Sequence, residues 1–541
     1  MASPLAVADI HEAIAATRPD QLCIVHGQRQ LTWQQVTERT RRLANYLHSA
    51  GLGCHTEREH LAGHESGQDH LAVFLHNGVE YLESMLGAFK ARVAPFNVNY
   101  RYVAEELQYL LTDAQATAVV VHSRFTPTLA DVLPRLPLVK VILQVPDSSD
   151  LPLLPGAVWY EDALAAASPD KPTWRCSADD LYILYTGGTT GMPKGVLWRN
   201  GDANVECFGG SRAETLDGVL TEATGALRAL LAPPFMHGAG HWMCFRTWNT
   251  GGSIFIQQHV EHLDPHDIWG TIERDRLNFL LIVGDAFGRP LLDELEHHTY
   301  DLSSLTVLLS GGAALSAPLK EEFLRHLPTV MIVDGLGSSE AGGQVSHVSA
   351  GAGATTGTFP LGVGNHVLSA DLDRVLAPGD PELGWLCKSG GLALGYLGDP
   401  DKTAHTYPVV DGVRYAVPGD RARLRIDGVV ELHGRDSATI NSGGEKIFAE
   451  EVEAAIKTHP AVYDCVVAGR PSEQWGSEVV AIVRLRDGRS ATTEELRRAA
   501  EQHIARFKLP KAVVFVPEIL RSPAGKADYR WAKQMVAQPA P

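Results

Sequence analysis

Cysteine is scarce. Cys23, Cys54, Cys176, Cys207, Cys244, Cys387 and Cys465 are seven in 541 residues, an odd number and widely spaced. That argues against a disulfide framework and suits a reducing compartment. No Cys-x-x-Cys and no His-Glu-x-x-His spacing occurs, so two common zinc patterns are missing. No apolar run approaches the roughly 20 residues that a membrane helix needs. The first fifteen residues carry Asp9 and Glu12 and show no basic segment followed by an apolar one, so a cytoplasmic location is expected. Basic residues are in the minority, 47 Lys and Arg against 64 Asp and Glu, for a net charge of −17. This argues against a nucleic-acid binder, which would show a basic face, although a local site can still hold a nucleotide. Two familiar phosphate motifs also fail. Met192 and Pro193 separate Gly191 from Lys194, and Gly195 follows, which breaks the P-loop pattern. Gly335-Leu336-Gly337 runs on to Glu340 where a dinucleotide fingerprint needs glycine.

What is present centres on Tyr185-Thr186-Gly187-Gly188-Thr189-Thr190-Gly191-Met192-Pro193-Lys194-Gly195-Val196, four glycines and three threonines in twelve positions. Glycine lets backbone N–H groups crowd an anion, threonine hydroxyls add donors, and a lysine adds a mobile charge. The apolar Leu181-Tyr182-Ile183-Leu184-Tyr185 before it reads as a buried strand, so the loop is a candidate phosphate cradle. From Leu71 onward strands and helices alternate: strands over 71–75, 94–98, 116–122 and 139–145, helices over 79–92, 104–113 and 160–167. The alternation predicts an α/β fold with mostly parallel sheets, whose ligands sit at the carboxyl ends of strands. Residues 363–434 are strand-rich and punctuated by glycine, a β-rich subdomain; beyond 435 a helix, strands, a helix and a strand predict a small α+β domain. The chain divides on this reading into 1–434 and 435–541. Residues 51–70 gather Cys54, His55, His60, His64 and His70 among carboxylates; they read as a polar surface insertion, with a metal site as the alternative.

The glycine/threonine loop resembles the signature of the AMP-forming, adenylate-making superfamily, and further motifs of that family follow in order. Ser310-Gly311-Gly312-Ala313-Ala314 looks like its adenine-edge loop. Asp334-Gly335-Leu336-Gly337-Ser338-Ser339-Glu340 resembles its Tyr-Gly-x-Thr-Glu motif, with Leu336 where many members stack a tyrosine on adenine. Arg414 to Asp420 matches its Thr-Gly-Asp segment, Gly434 to Ile447 its hinge, and Arg521-Ser522-Pro523-Ala524-Gly525-Lys526 its catalytic-lysine loop. Trp198-Arg199, Asn441 to Lys446 and the run from Ser522 to Trp531 look most like actinobacterial-type fatty and steroid side-chain acyl-CoA synthetases.

The resemblance implies roles. Thr186, Gly187, Gly188, Thr189, Thr190, Gly191 and Lys194 would hold the β- and γ-phosphates of ATP, and Ser339 the α-phosphate. Gly311, Gly312, Ala313, Asp334, Gly335 and Leu336 would border adenine, while Asp420 and Arg435 would bind ribose. Glu340 would be a catalytic residue through a Mg²⁺ ion, and Lys526 would bridge carboxylate and phosphate. Asp436 and Ser437 would form the hinge, with Ser437 where an Asp or Lys is usual. Ser442, Gly443 and Gly444 would line a CoA channel. His237 and Gly238 would line the acyl pocket, and the missing side chains of Gly238 and Gly240 suggest a wide mouth. The implied reaction is acid, ATP and CoA to acyl-CoA, AMP and pyrophosphate, with a hydrophobic monocarboxylate. An acyl-AMP ligase serving a carrier protein is the alternative, and a homodimer is compatible with either.

Overall fold

The structure, a computed structural model, describes residues 5–186, 192–350, 355–442, 445–472, 476–522 and 525–537. Two eight-stranded sheets carry the large domain among these residues. In the first, strands Leu22–His26, Ser253–Ile256, Arg228–Leu231, Phe279–Ile282, Val307–Gly311 and Met331–Ser338 run parallel, with antiparallel strands only at the edges. In the second, Val158–Trp159, Val141–Val145, Ala118–His122, His70–Phe74, Ala94–Asn97 and Leu181–Thr186 are parallel, and Lys194–Arg199 folds back antiparallel on the last of them. These strands are short Val/Ile/Leu runs with buried residues on both faces, the mark of a sheet covered on two sides.

Between the sheets lies one continuous apolar core that includes Ile24, Ile254 and Leu281 from the first and Val73, Val120, Tyr182 and Trp198 from the second. The helix Val79–Ala91 runs through it and is buried for nearly its whole length, which is why it lacks the polar stripe of a surface helix. A third, seven-stranded sheet over 358–435 is largely antiparallel and carries its own apolar cluster around Val367, Leu386 and Val430. Its strand Val429–Arg435 leads through the short 3-10 turn Asp436–Ala438 into the small domain. There the hairpin Thr439–Ser442/Glu445–Phe448, the helix Ala449–Ile456 and the sheet Val462–Ser472, Gly476–Leu485, Ala512–Phe515 close around Ile447, Val452, Cys465 and Ile482. The architecture is the expected α/β one with a β-rich subdomain and a small α+β unit.

One motif differs in local structure from the sequence reading. The sequence reads residues 330–333 as a strand leading into the motif, and in the structure the strand Met331–Ser338 runs on through the motif and turns at 339–341 into Gly342–Ser349. The glycines that look like loop punctuation are strand residues. A Cβ at Gly337 would lie 2.6 Å from the Gly342 carbonyl oxygen, and the pair shifts register there as a bulge does.

Candidate active site

Beyond the carboxyl ends of strands of the first sheet, Val283, Ala286 and Gly312 approach Gly525 and Lys526 of the small domain. Strands Val307–Gly311 and Met331–Ser338 are in parallel register with Ser310 opposite Asp334 and Gly311 opposite Gly335, so two of the sequence motifs lie side by side. Gly312 follows at φ +90°, a conformation that side chains rarely adopt. Asp334 is held by Lys320, whose fully buried ammonium also reaches the Thr355 carbonyl. Its carboxylate therefore anchors this strand as well as facing the site. Leu336 rests against the apolar cluster of the third sheet.

Glu340 sits in the turn after Ser338. Tyr396 O–H donates to Glu340 Oε1 at 2.7 Å, and Tyr407 O–H to the Glu340 carbonyl at 3.3 Å. Trp198 Nε1 donates to the Ser339 carbonyl at 2.8 Å, and the buried Lys388 donates to the Ala341 and Gly343 carbonyls while pairing with Glu206 at 2.7 Å. The turn that presents Ser339 and Glu340 is thus clamped on every side. None of Tyr396, Tyr407, Trp198 or Lys388 was singled out for this from sequence, because their contacts with the 339–343 backbone and Glu340 span 45 to 141 positions.

Asp420 and Arg435 face each other across antiparallel strands, with Arg435 Nε 3.3 Å from Asp420 Oδ1. Asp420 is 3% exposed, and its second oxygen, Oδ2, has no hydrogen-bond partner among the described residues. That oxygen keeps its capacity to accept a hydrogen bond. Lys526 reaches into the same space from the small domain; a Cβ at Gly312 would lie 3.9 Å from its Cε. Its proton affinity is lowered by the crowding of protein around it and by the Arg435 charge, against the opposing pull of Glu340 and Asp420. Lys526 retains solvent access, as a side chain at the mouth of a cleft does.

Lys194 lies 3.7 Å from both Asp113 and Asp399. Partial burial lowers its proton affinity, but Asp113, Tyr109 and Asp399 outweigh this and keep it above the ordinary lysine value. Thr186 pairs with Lys194 across the hairpin. Gly187, Gly188, Thr189, Thr190 and Gly191 lie outside the described residues, as do Gly443, Gly444 and the side chain of Ser437. Ser442 ends its strand opposite Glu445. Asp436 is tied by Arg421 at 3.0 Å to the third sheet.

Two buried asparagines, also missed from sequence, hold the backbone of residues 233–236 that precedes His237. Asn97 bridges the Tyr185 backbone and the Met236 carbonyl, and Asn77 bridges the Pro233 carbonyl and the Phe235 N–H. His237 then opens the helix Gly238–Asn249. Its Nε2 is buried without a partner among the described residues, and burial followed by the nearby Lys526 charge drops its pKa to about 3. It is a neutral imidazole beside the lysine. His241 is a core histidine instead. Its Nδ1 bonds the Phe235 carbonyl at 2.6 Å and its Nε2 pairs with Tyr182 O–H, which accepts from Trp242 Nε1 at 2.9 Å.

This chain of bonds corrects the expectation of a wide mouth. A Cβ at Gly240 would fall 2.6 Å from the Pro234 carbonyl oxygen, so that glycine admits backbone, not substrate. A Cβ at Gly238 would meet Leu184 and the Trp242 ring at 3.2 Å, so the space it leaves is already bordered by indole. Residues 51–70 form a polar loop in which His55 pairs with Asp69 and Arg58 holds the 62–65 backbone. No cluster of three or more metal-type ligands occurs among the described residues.

The chain is similar to known proteins over nearly its whole length. Residues 11–397 match the family model of the AMP-binding enzyme, and residues 451–526 that of the AMP-binding enzyme C-terminal domain. A protein of Mycobacterium avium named medium-chain acyl-CoA ligase Mig is 52% identical, with 97% of each chain covered. The 3-oxocholest-4-en-26-oate–CoA ligase of Rhodococcus rhodochrous is 40% identical over 98% of this chain and 95% of its own. Among solved structures, the anthranilate CoA ligase AuaEII in complex with anthranoyl-AMP superposes with a TM-score of 0.83 at 20% identity, covering 99% of this chain and 98% of that one.

Proposed function

The chain belongs to the family of AMP-binding enzymes, and from that premise we propose that it is an ATP-dependent acid–CoA ligase acting on an apolar monocarboxylate. The observation that carries this reading is the convergence of Lys526 with Glu340, Asp420 and Arg435 beside the Gly312 turn, two domains contributing to one polar cleft.

A carboxylate is a poor acyl donor because oxide would have to leave. In the first step a carboxylate oxygen attacks the α-phosphorus of ATP, and pyrophosphate leaves with the bonding pair. Negative charge grows on phosphate oxygens, and preorganised cations are what such a transition state needs. Lys526 supplies one between the carboxylate and the α-phosphate. Lys194 and the loop 186–191 hold the leaving phosphates. Asp420 Oδ2 accepts from a ribose hydroxyl. Glu340, a hard oxygen donor fixed by Tyr396, is suited to hold a Mg²⁺ that neutralises phosphate charge. In the second step the CoA thiolate attacks the acyl carbon and AMP leaves. Lys526 has no task there, and rotation of the small domain about the segment after Asp436 brings Ser442, Gly443 and Gly444 to the thiol channel.

For the acid, the segment 235–245 is apolar apart from His237 and His241 and carries no Lys or Arg of its own to pair a second carboxylate. The M. avium relative is named for medium-chain acids and the R. rhodochrous relative for a steroid acid. The indole against Gly238 favours an unbranched medium chain over a ring system. Pyrophosphate release with straight-chain acids and one steroid acid, with and without CoA, tests this. Release should require an acid, peak at medium length and yield thioester once CoA is added. Release without acid would exclude a ligase, and acyl-AMP persisting despite CoA would redirect the acceptor to a carrier protein.

A further inference from the structure

Lys526 lies on a two-domain cleft, so something must fix the small domain closely enough to aim it. The route runs through four charges outside the cleft. Asp285 belongs to the large domain, at the start of the helix Gly284–His297. Its backbone N–H donates to the Ala314 carbonyl at 3.2 Å, and its Oδ1 accepts from the Ser316 N–H at 2.7 Å, so it clasps the loop that contains Gly312. Its Oδ2 lies 3.3 Å from Lys457 Nζ, on the small domain just past the helix Ala449–Ile456. Lys457 is shared with Asp464 at 3.2 Å. Arg521 closes on Asp464 through two bonds of 2.8 Å, a bidentate fork, and its remaining Nη1 donates to the Gly525 carbonyl at 3.0 Å. The residue after Gly525 is Lys526.

The chain of contacts is continuous from the nucleotide-side loop to the lysine. Gly525 itself packs on the same large-domain segment, since a Cβ there would meet Ala286 Cβ at 3.1 Å and the Val283 carbonyl at 3.2 Å. The charges keep one another ionised: burial works against the Asp464 carboxylate, yet Lys457 and Arg521 outweigh it and hold its pKa at about 2. We propose that Lys457, through Asp285 on one side and Asp464–Arg521 on the other, is the positioning residue that docks the small domain with Lys526 over the reacting phosphate, and that this ion pair must open for the thioester step. The proposal rests on the two-step ligase reading above.

Lys457→Met keeps the stem and removes the charge. It should lower acid-dependent ATP–pyrophosphate exchange by about tenfold or more, the range measured when one partner of a part-buried pair is lost. Thioester formation from supplied acyl-AMP and CoA should stay within about twofold, because opening is then easier. Lys457→Arg should restore most of the exchange. A substrate-free readout accompanies these: limited proteolysis between the domains should quicken several-fold in Lys457→Met and slow again in Lys457→Arg, which keeps the charge facing both Asp285 and Asp464. Equal loss in both half-reactions, or proteolysis unchanged in Lys457→Met, would overturn the proposal. If the unmutated protein shows no acid-dependent exchange, the ligase reading fails, and proteolysis still decides whether the ion pair docks the domain.

Discussion

A missing side chain means different things at positions 238 and 240. Gly240 is glycine because the Pro234 carbonyl occupies the place of a Cβ, whereas at Gly238 the neighbour is the edge of Trp242. The indole can give way only if its anchor is lost, and Tyr182 and His241 hold that anchor in the core. Trp242→Ala therefore should lengthen the pocket. Each added methylene is worth about 0.8 kcal/mol, roughly fourfold in kcat/KM, until the pocket is filled. The optimum across straight-chain acids should move to longer chains in the variant, and the steroid acid should gain relative to medium-chain acids. An unchanged chain-length profile would mean that the acyl chain does not run past residue 242.

At the scale of elements, the helix Ala449–Ile456 packs against the end of the strand Val429–Arg435, and Glu450 is pressed onto Gly434, where a Cβ would lie 2.6 Å from its Oε2. Gly434 has φ +118°, so the strand bends away there only because the residue is glycine. Burial, then the charge of Glu453, lifts the Glu450 pKa from 4.5 to about 7, with Arg435 pulling the other way. A raised carboxyl pKa means that the folded state holds the proton more tightly than the unfolded chain. Its stabilising contribution is complete below 4.5 and disappears as pH climbs towards and through 7. Glu450→Gln cannot ionise, so its melting temperature should fall less across that window than that of the unmutated protein. Parallel curves in calorimetry would show that Glu450 is already hydrated in the native state.

Over the whole molecule, what could be read in advance was what is local. Buried strands such as Leu181–Thr186 and Val141–Val145 are unbroken apolar runs, and a run carries its own signal. Glu340, Asp420, Arg435 and Lys526 stand in short motifs whose residue types match phosphate and ribose chemistry. What stayed hidden depends on pairs distant in sequence. Nothing near Lys457 announces Asp285, 172 positions away, and nothing near Glu340 announces Tyr396. Gly240 misled because a glycine looks the same whether it makes room for a ligand or for a carbonyl. The division of labour between the two domains is what the account finally depends on, because Lys526 is the one small-domain side chain assigned to the reacting phosphate. Lys526→Ala, assayed separately in acyl-AMP formation and in thioester formation from supplied acyl-AMP, tests it most directly. Removing one preorganised charge from a phosphate transition state should cost the first half-reaction about a hundredfold or more, with the second nearly intact. Equal losses in both half-reactions would contradict it.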